Sequence, residues 1–88
     1  MTKKAIEQAF EKPRLVVGIG ASAGGLDACK AFLAALPADS GMAFVIIMHL
    51  DPTHERHIAE IFQASTALAV VQVSERQELV PDRVYVIA

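Results

Sequence analysis

Apolar runs alternate along this chain with segments whose apolar residues recur at helical spacing. Residues 15–19 and 42–48 form continuous apolar runs, which are typical of strands buried on both faces, and the mainly apolar segment 69–73 predicts a third strand. The first helical segment starts at Gly25, and a second runs from Pro52 to about residue 64. The pattern therefore predicts the order β-α-β-α-β. The apolar stripe of the first helix consists of Leu26, Cys29, Phe32, Leu33 and Leu36.

The remaining segments complete this outline. Residues 1–13 are polar and weakly amphipathic, and Pro13 ends this arm because the residue before a proline avoids the α region. Residues 79–80 and 84–87 flank Pro81-Asp82, which is typical of a β-hairpin or a sharp corner, and we predict a hairpin. Strands that alternate with helices imply right-handed crossovers and a mainly parallel sheet covered on both faces. Residues 14–88 are therefore predicted to belong to one α/β domain.

Composition narrows the classes of protein to consider. A chain of 88 residues permits one small domain, and 53% hydrophobic with 6% aromatic residues fits a buried α/β core. The net charge of −2 gives no reason to expect nucleic acid or an anionic membrane as a partner. The single cysteine, Cys29, forms no internal disulfide and lies on the apolar stripe, which predicts a core residue. Without a signal peptide or a run long enough to span a membrane, we expect a cytoplasmic location.

A serine stands where the first strand is predicted to turn into the first helix. The run Gly20-Ala21-Ser22-Ala23-Gly24 matches the pattern G-x-S-x-G, in which small residues permit a sharp turn beneath a nucleophilic serine. The backbone N–H of Ala23 would stabilise an oxyanion beside Ser22. Gly25 follows and opens the helix, whose N-terminus favours developing negative charge.

A histidine follows the second predicted strand. His49 comes directly after the apolar run 42–48. Consecutive strands of a β-α-β unit usually lie side by side, and sites form at the carboxyl ends of such strands. The sequence therefore predicts that Ser22 and His49 are neighbours, with His49 as the general base for the Ser22 hydroxyl.

Two alternatives compete for the serine turn. Ser22 could serve only as the N-cap of the helix. The run Gly18-Ile19-Gly20-Ala21-Ser22-Ala23 also fits the dinucleotide fingerprint G-x-G-x-x-G/A. That site requires an acidic residue at the end of the second strand, where Met48-His49-Leu50 stands instead. The fit to a dinucleotide is therefore poorer than the fit to a nucleophile.

A third alternative is a metal site. His49, Asp51, His54 and His57 are close in sequence, but they lack the spacing H-E-x-x-H that aligns two ligands with a base. Solvated histidines are the simpler interpretation. We therefore predict neither a metal nor a cofactor.

Three separated blocks give the chain a family resemblance. GIGASAGGL (18–26), VIIMHLDP (45–52) and VPDRVYVIA (80–88) resemble, in this order, the catalytic domain of the bacterial chemotaxis methylesterases, the CheB family. The segments SAGGL (22–26) and GMAFV (41–45) are similar to the corresponding segments of proteins that fuse a methylesterase to a methyltransferase. Two positions depart from the family pattern: Ala23, where threonine is frequent, and Met48, where glutamine is frequent.

The resemblance implies a fold and an activity. It implies a Rossmann-like three-layer α/β/α domain, of which residues 14–88 are the N-terminal part, ending after three strands and the hairpin. It implies hydrolysis of glutamate γ-methyl esters, and also glutamine deamidation, on the cytoplasmic domain of methylated chemoreceptors. Ser22 falls on the family's nucleophile and His49 on its base. The oxyanion and turn positions are Gly20, Ala23, Gly24 and Gly25.

The resemblance also implies what the 88 residues do not contain. The family's third catalytic residue, an aspartate that orients the histidine, lies beyond Ala88, so we expect the isolated chain to be inactive. A different class of function stays open, in which the segment is a non-catalytic docking or regulatory module. Because a partial domain leaves a sheet edge and apolar surface uncovered, we also expect self-association.

Overall fold

The strands form one parallel sheet. A computed structural model describes residues 12–49 and 57–88 of the chain. The four strands pair in the order β1-β2-β4-β3, and every pair is parallel. The predicted α/β class and parallel sheet are confirmed. The elements are β1 (Val16–Ser22), a 3₁₀ turn (Ala23–Gly25), α1 (Leu26–Ala34), β2 (Ala43–His49), α2 (Ile58–Gln63), β3 (Ala69–Gln72) and β4 (Arg83–Ile87).

The strand order explains which face the helices occupy. The chain moves in the same direction from β1 to β2 and from β2 to β3, so right-handed crossovers place α1 and α2 on the same face. Only the return from β3 to β4 crosses the opposite face, and residues 73–82 form no helix there. The predicted arm up to residue 11 and the predicted helix before residue 57 lie outside the described residues.

The core lies between the sheet and the two helices. It is built from alternate strand residues and from one side of each helix, as period-2 and period-3.6 patterns require. Burial of these apolar side chains is the main favourable term in folding. The buried cluster consists of Cys29, Leu33, Phe44, Ile46, Met48, Ile58, Phe62, Leu68, Val84 and Val86.

The opposite face of the sheet is largely open. Val16 on β1 is 47% exposed, Ile47 on β2 is 52% exposed and Ile87 on β4 is 40% exposed. The prediction that the first strand is buried on both faces is therefore wrong for the described residues. These residues form two layers, and the second helical layer implied by the family resemblance is not among them.

The predicted hairpin near residue 81 is also wrong. β4 pairs with β2 on one side and with β3 on the other, both in parallel, so no free side remains for residues 79–80. Instead, the N–H of Val80 donates a hydrogen bond of 2.9 Å to the hydroxyl of Tyr85, which is fully buried. The loop thus covers Tyr85 on the open face and reaches β4 through a corner at Asp82, whose φ is 61°.

Hydrogen bonds connect the strands at the amino end of the sheet. The N–H of Arg14 donates to the Gly41 carbonyl over 2.8 Å, and the N–H of Asp82 donates to the Met42 carbonyl over 2.8 Å. The N–H of Gly41 donates to Oδ1 of Asp82 over 2.9 Å. The segment before β2 therefore joins the starts of β1 and β4.

A glutamine side chain protects the β3 edge of the sheet. Oε1 of Gln63 accepts a hydrogen bond of 3.0 Å from the N–H of Val70, and its Nε2 donates one of 2.8 Å to the Leu68 carbonyl. This amide occupies backbone groups that an edge strand otherwise offers to another chain. Neither helix in the described ranges is long and apolar enough to cross a membrane.

Candidate active site

Ser22 and His49 end neighbouring strands at the carboxyl end of the sheet. Ser22 is the last residue of β1, His49 is the last residue of β2, and the two are register partners. Adjacent strands lie about 4.8 Å apart, so the two side chains are within reach of each other. Both residues are exposed and lie on the open face of the sheet. The predicted adjacency of the two strand ends agrees with this register.

Both strands extend further than the sequence pattern predicts. The sequence pattern ends β1 at residue 19 and β2 at residue 48, whereas the strands continue to Ser22 and His49. Gly20 therefore lies inside β1, and its assignment as a turn residue is wrong. A Cβ placed on Gly18 or Gly20 would have no heavy atom within 4 Å among the described neighbours, so packing does not require glycine at either position.

The turn after Ser22 is a single 3₁₀ turn, Ala23–Gly25. The first N–H groups of a helical turn have no partner within the turn, and that of Ala23 follows Ser22 directly. A Cβ on Gly24 would lie 3.9 Å from the Ser22 Oγ, which is an ordinary contact. A Cβ on Gly25 would lie only 3.2 Å from the Cβ of Ala21. Of the two glycines in the turn, Gly25 is therefore the one at which an added Cβ would make a tight contact with β1.

The structure bears on two alternatives for this turn. The N-cap of α1 is Gly25, and no side chain makes a capping hydrogen bond there, so Ser22 is not the cap of that helix. Gly18 and Gly20 lie in the strand rather than in a loop before the helix. They therefore do not form the glycine turn that holds a pyrophosphate in a dinucleotide site.

A groove lies between β1 and α1, beside Ser22. Its volume is about 470 Å³, and none of the described residues that line it is charged. Cys29 contributes to the groove but is only 5% exposed, and burial raises the pKa of its thiol, which favours the neutral form. The lining residues are Ile19, Gly20, Ala21, Ser22, Gly25, Ala28, Cys29 and Phe32.

Asp82 lies at the opposite end of the sheet from Ser22 and His49. Asp82 directly precedes β4, whose first residue pairs with Ala43 at the start of β2. That end lies six residue steps along β2 from His49, a distance of about 20 Å, so Asp82 is not placed to orient the imidazole. Nδ1 of His57 lies 3.8 Å from Oε2 of Glu60 in an exposed pair. The other two residues weighed for a metal, Asp51 and His54, lie outside the described residues.

Sequence reasoning missed the contact between Ala21 and Gly25. The pattern G-x-S-x-G draws attention to Gly20 and Gly24, whereas the tight contact in the structure is at Gly25. The signal for it was the second glycine of the pair 24–25, because one glycine alone completes the pattern.

A family model and individual known proteins both resemble this chain. The family model described as CheB methylesterase matches residues 17–88, which is most of the chain. A protein-glutamate methylesterase/protein-glutamine glutaminase of Cupriavidus metallidurans is 48% identical over 58 residues, covering 66% of this chain and 17% of the relative.

Two further relatives cover more of the chain. A protein-glutamate methylesterase/protein-glutamine glutaminase of Mesorhizobium japonicum is 37% identical over 75 residues, covering 84% of this chain and 22% of the relative. Another from Geobacter metallireducens is 31% identical over 77 residues, covering 88% of this chain and 21% of the relative. The chain thus spans about a fifth of the length of these curated relatives.

Proposed function

Because the chain belongs to the CheB methylesterase family, we propose that it supplies the nucleophile and the general base of a protein-glutamate methylesterase. Ser22 is the nucleophile and His49 is the base. The observation that carries this proposal is their register pairing at the carboxyl ends of β1 and β2. Such strand ends are the usual position of sites in open parallel sheets.

The proposed reaction proceeds in two steps. In the first, His49 accepts the Ser22 proton while Oγ attacks the ester carbonyl carbon. The oxyanion forms next to the N–H of Ala23 at the first turn of the 3₁₀ segment. His49 then protonates the departing methoxide, methanol leaves, and an acyl-serine remains.

Water completes the second step. It attacks the acyl-serine with His49 again as base, which releases a glutamate carboxylate and restores the Ser22 hydroxyl. An amide in place of the ester would release ammonia instead of methanol, which is the glutaminase reaction in the relatives' names. The exposed position of both side chains suits a substrate that is itself a folded protein.

The proposed substrate is the cytoplasmic domain of a methylated chemoreceptor, and the proposed location is the cytoplasm. The family and the names of the relatives support this substrate, since they act on protein glutamate and glutamine side chains. No cofactor and no metal are part of the proposed mechanism.

Methanol release from a methylated receptor fragment tests the proposal in the intact protein. Ser22→Ala should reduce the rate by several orders of magnitude, because removal of a nucleophilic serine costs about 10⁶-fold in the best-studied hydrolases. Ser74→Ala is the matched control, since Ser74 is exposed and follows β3, two strands from β2.

Three outcomes would contradict the proposed esterase. Unchanged methanol release by Ser22→Ala would exclude Ser22 as the nucleophile. Receptor binding without any methanol release by the wild-type protein would favour the non-catalytic docking module instead. Tight binding of a nicotinamide cofactor would support the dinucleotide alternative.

We also propose that the 88-residue chain alone self-associates. Val16, Ile47 and Ile87 are exposed on the open face. β1 has one strand neighbour among the described residues and carries no charged residue. An uncharged edge strand is a template for pairing with another chain. Light scattering at micromolar concentration should detect oligomers, and a sharp monomer peak would contradict the proposal.

A further inference from the structure

The contact between the turn and β1 next to Ser22 is tight at residue 25, so that a side chain there fits only if a neighbour shifts by a few tenths of an ångström. A Cβ on Gly25 would lie 3.2 Å from the Ala21 Cβ, which is shorter than an ordinary van der Waals contact. The φ of Gly25 is −92°, so its backbone conformation is open to any residue. The preference for glycine at this position is therefore steric, and among the described residues it comes from Ala21.

Ala21 cannot yield by rotating a side chain. Its Cβ is fixed to the backbone of β1, and the residue packs against the buried core. Its register partner Met48 is buried as well. A methyl group at residue 25 is therefore accommodated only if the backbone of the turn or of β1 moves, and Ser22 is the last residue of β1 before this turn.

From this geometry we propose that Ala21 and Gly25 are positioning residues for Ser22. Their close approach sets where the end of β1 lies, and thus where Oγ stands relative to His49 and to the N–H of Ala23. This inference rests on the proposed function, since it names what holds the proposed nucleophile in place. Reaction rates are sensitive to such placement, because a misplacement of about 1 Å costs about 10²-fold.

The test is a double-mutant cycle measured by fluorophosphonate labelling of Ser22 in the intact protein. Gly25→Ala should lower the maximal labelling rate by about tenfold, since the displacement is a few tenths of an ångström. Adding Ala21→Gly should restore most of this rate, because it removes the opposing methyl group. Ala21→Gly alone is the reference for the cycle.

A matched control and a second readout distinguish a change in the position of Ser22 from filling of the groove and from unfolding of the variant. Gly18→Ala makes the same chemical change in β1, where a Cβ has nothing within 4 Å, and should label at the wild-type rate. If the methyl group at residue 25 merely filled the groove, the probe concentration for half-maximal labelling would rise, and Ala21→Gly would not reverse it. Thermal unfolding checks that each variant is folded.

The possible results each decide the matter. Slow labelling by Gly25→Ala with rescue by Ala21→Gly supports the inference. Wild-type labelling by Gly25→Ala, or slow labelling that Ala21→Gly does not rescue, overturns the inference and leaves Ser22 as the nucleophile. If Ser22 is not labelled in the wild-type protein, the proposed function fails and this inference fails with it.

Discussion

At the amino end of the sheet the chain is held by backbone hydrogen bonds, whereas at the carboxyl end the side chains proposed for chemistry are exposed. Gly41 and Asp82, the described residues with positive φ, both lie at the amino end and bond to each other. Ser22 and His49 lie at the carboxyl end, on two strands that pair over their full length. Stability and the proposed chemistry therefore depend on residues at opposite ends of the same sheet.

The largest expected effect is on activity at the carboxyl end. His49→Gln should slow Ser22 labelling by a fluorophosphonate about 10²- to 10⁴-fold, which corresponds to about 3–5 kcal/mol, because the serine loses its base. The free energy of unfolding should change by less than about 0.5 kcal/mol, as is usual for exposed positions. Ile47→Gln, on the same face of β2, is the matched control and should label normally. Equal labelling by His49→Gln and wild type would remove His49 from the mechanism.

The second effect is on stability at the amino end. Asp82→Ala should lower the free energy of unfolding by about 2–3 kcal/mol, because the Gly41 N–H loses its acceptor and alanine is strained at a φ of 61°. Asp82→Asn keeps an acceptor and tolerates this conformation, so it should cost less than about 1 kcal/mol. Urea unfolding monitored by circular dichroism measures both variants. A loss of Ser22 labelling in a folded Asp82→Asn protein would contradict the separation of the two ends.

Gly41→Ala should have a smaller effect at the same end. Gly41 has a φ of 76°, and a Cβ there would lie 3.0 Å from Cδ of Arg14. The left-handed conformation costs alanine about 1–2 kcal/mol, while the Arg14 side chain can move aside. Gly18→Ala in β1 should be neutral or slightly stabilising, since glycine weakens a strand interior. Similar losses from both substitutions in urea unfolding would show that backbone conformation at residue 41 is not what matters.

The smallest effect is a pH dependence of stability at Cys29. Burial raises the pKa of this thiol in the folded state. Its contribution to stability is therefore complete below the ordinary thiol pKa of about 8.5 and is lost as the pH rises through the folded-state value. Urea unfolding at about pH 7 and about pH 9.5 should show a larger drop for wild type than for Cys29→Ala. Parallel pH dependence in the two proteins would contradict this account.

Local patterns predicted the parts of the fold that depend on local sequence. The strands, the first helix and the adjacency of Ser22 and His49 follow from apolar runs and from the rule that β-α-β strands are neighbours. The prediction of a hairpin was wrong because β4 lies between β2 and β3. This arrangement is non-local, and residues 79–87 do not encode it by themselves. The prediction that the strands are buried on both faces was wrong because an apolar run is compatible with one covered face as well as with two. Val16 and Ile47 are apolar but exposed.

For the site, as for the fold, the sequence predicted the local features but not the contacts that depend on how the strands are placed. The residue types at Ser22 and His49 are visible in the sequence, and their register pairing follows from the topology. The role of Gly25 was not predictable in detail, because it depends on how closely the 3₁₀ turn approaches Ala21. The position of Asp82 at the opposite end likewise became visible only when β4 was placed in the sheet.

The most direct test of the central claim is disulfide formation between cysteines placed at the two strand ends. In a Cys29→Ala background, Ser22→Cys with His49→Cys should oxidise readily, because neighbouring strands place the two Cα atoms about 4.8 Å apart. Ser22→Cys with Ile47→Cys is the control, since Ile47 pairs with Gly20 and lies about 8 Å away on the diagonal. Mass spectrometry of tryptic peptides should find the crosslink between residues 22 and 49 and little between 22 and 47. A preference for residue 47, or no crosslink at residue 49, would contradict the placement on which the proposed chemistry depends.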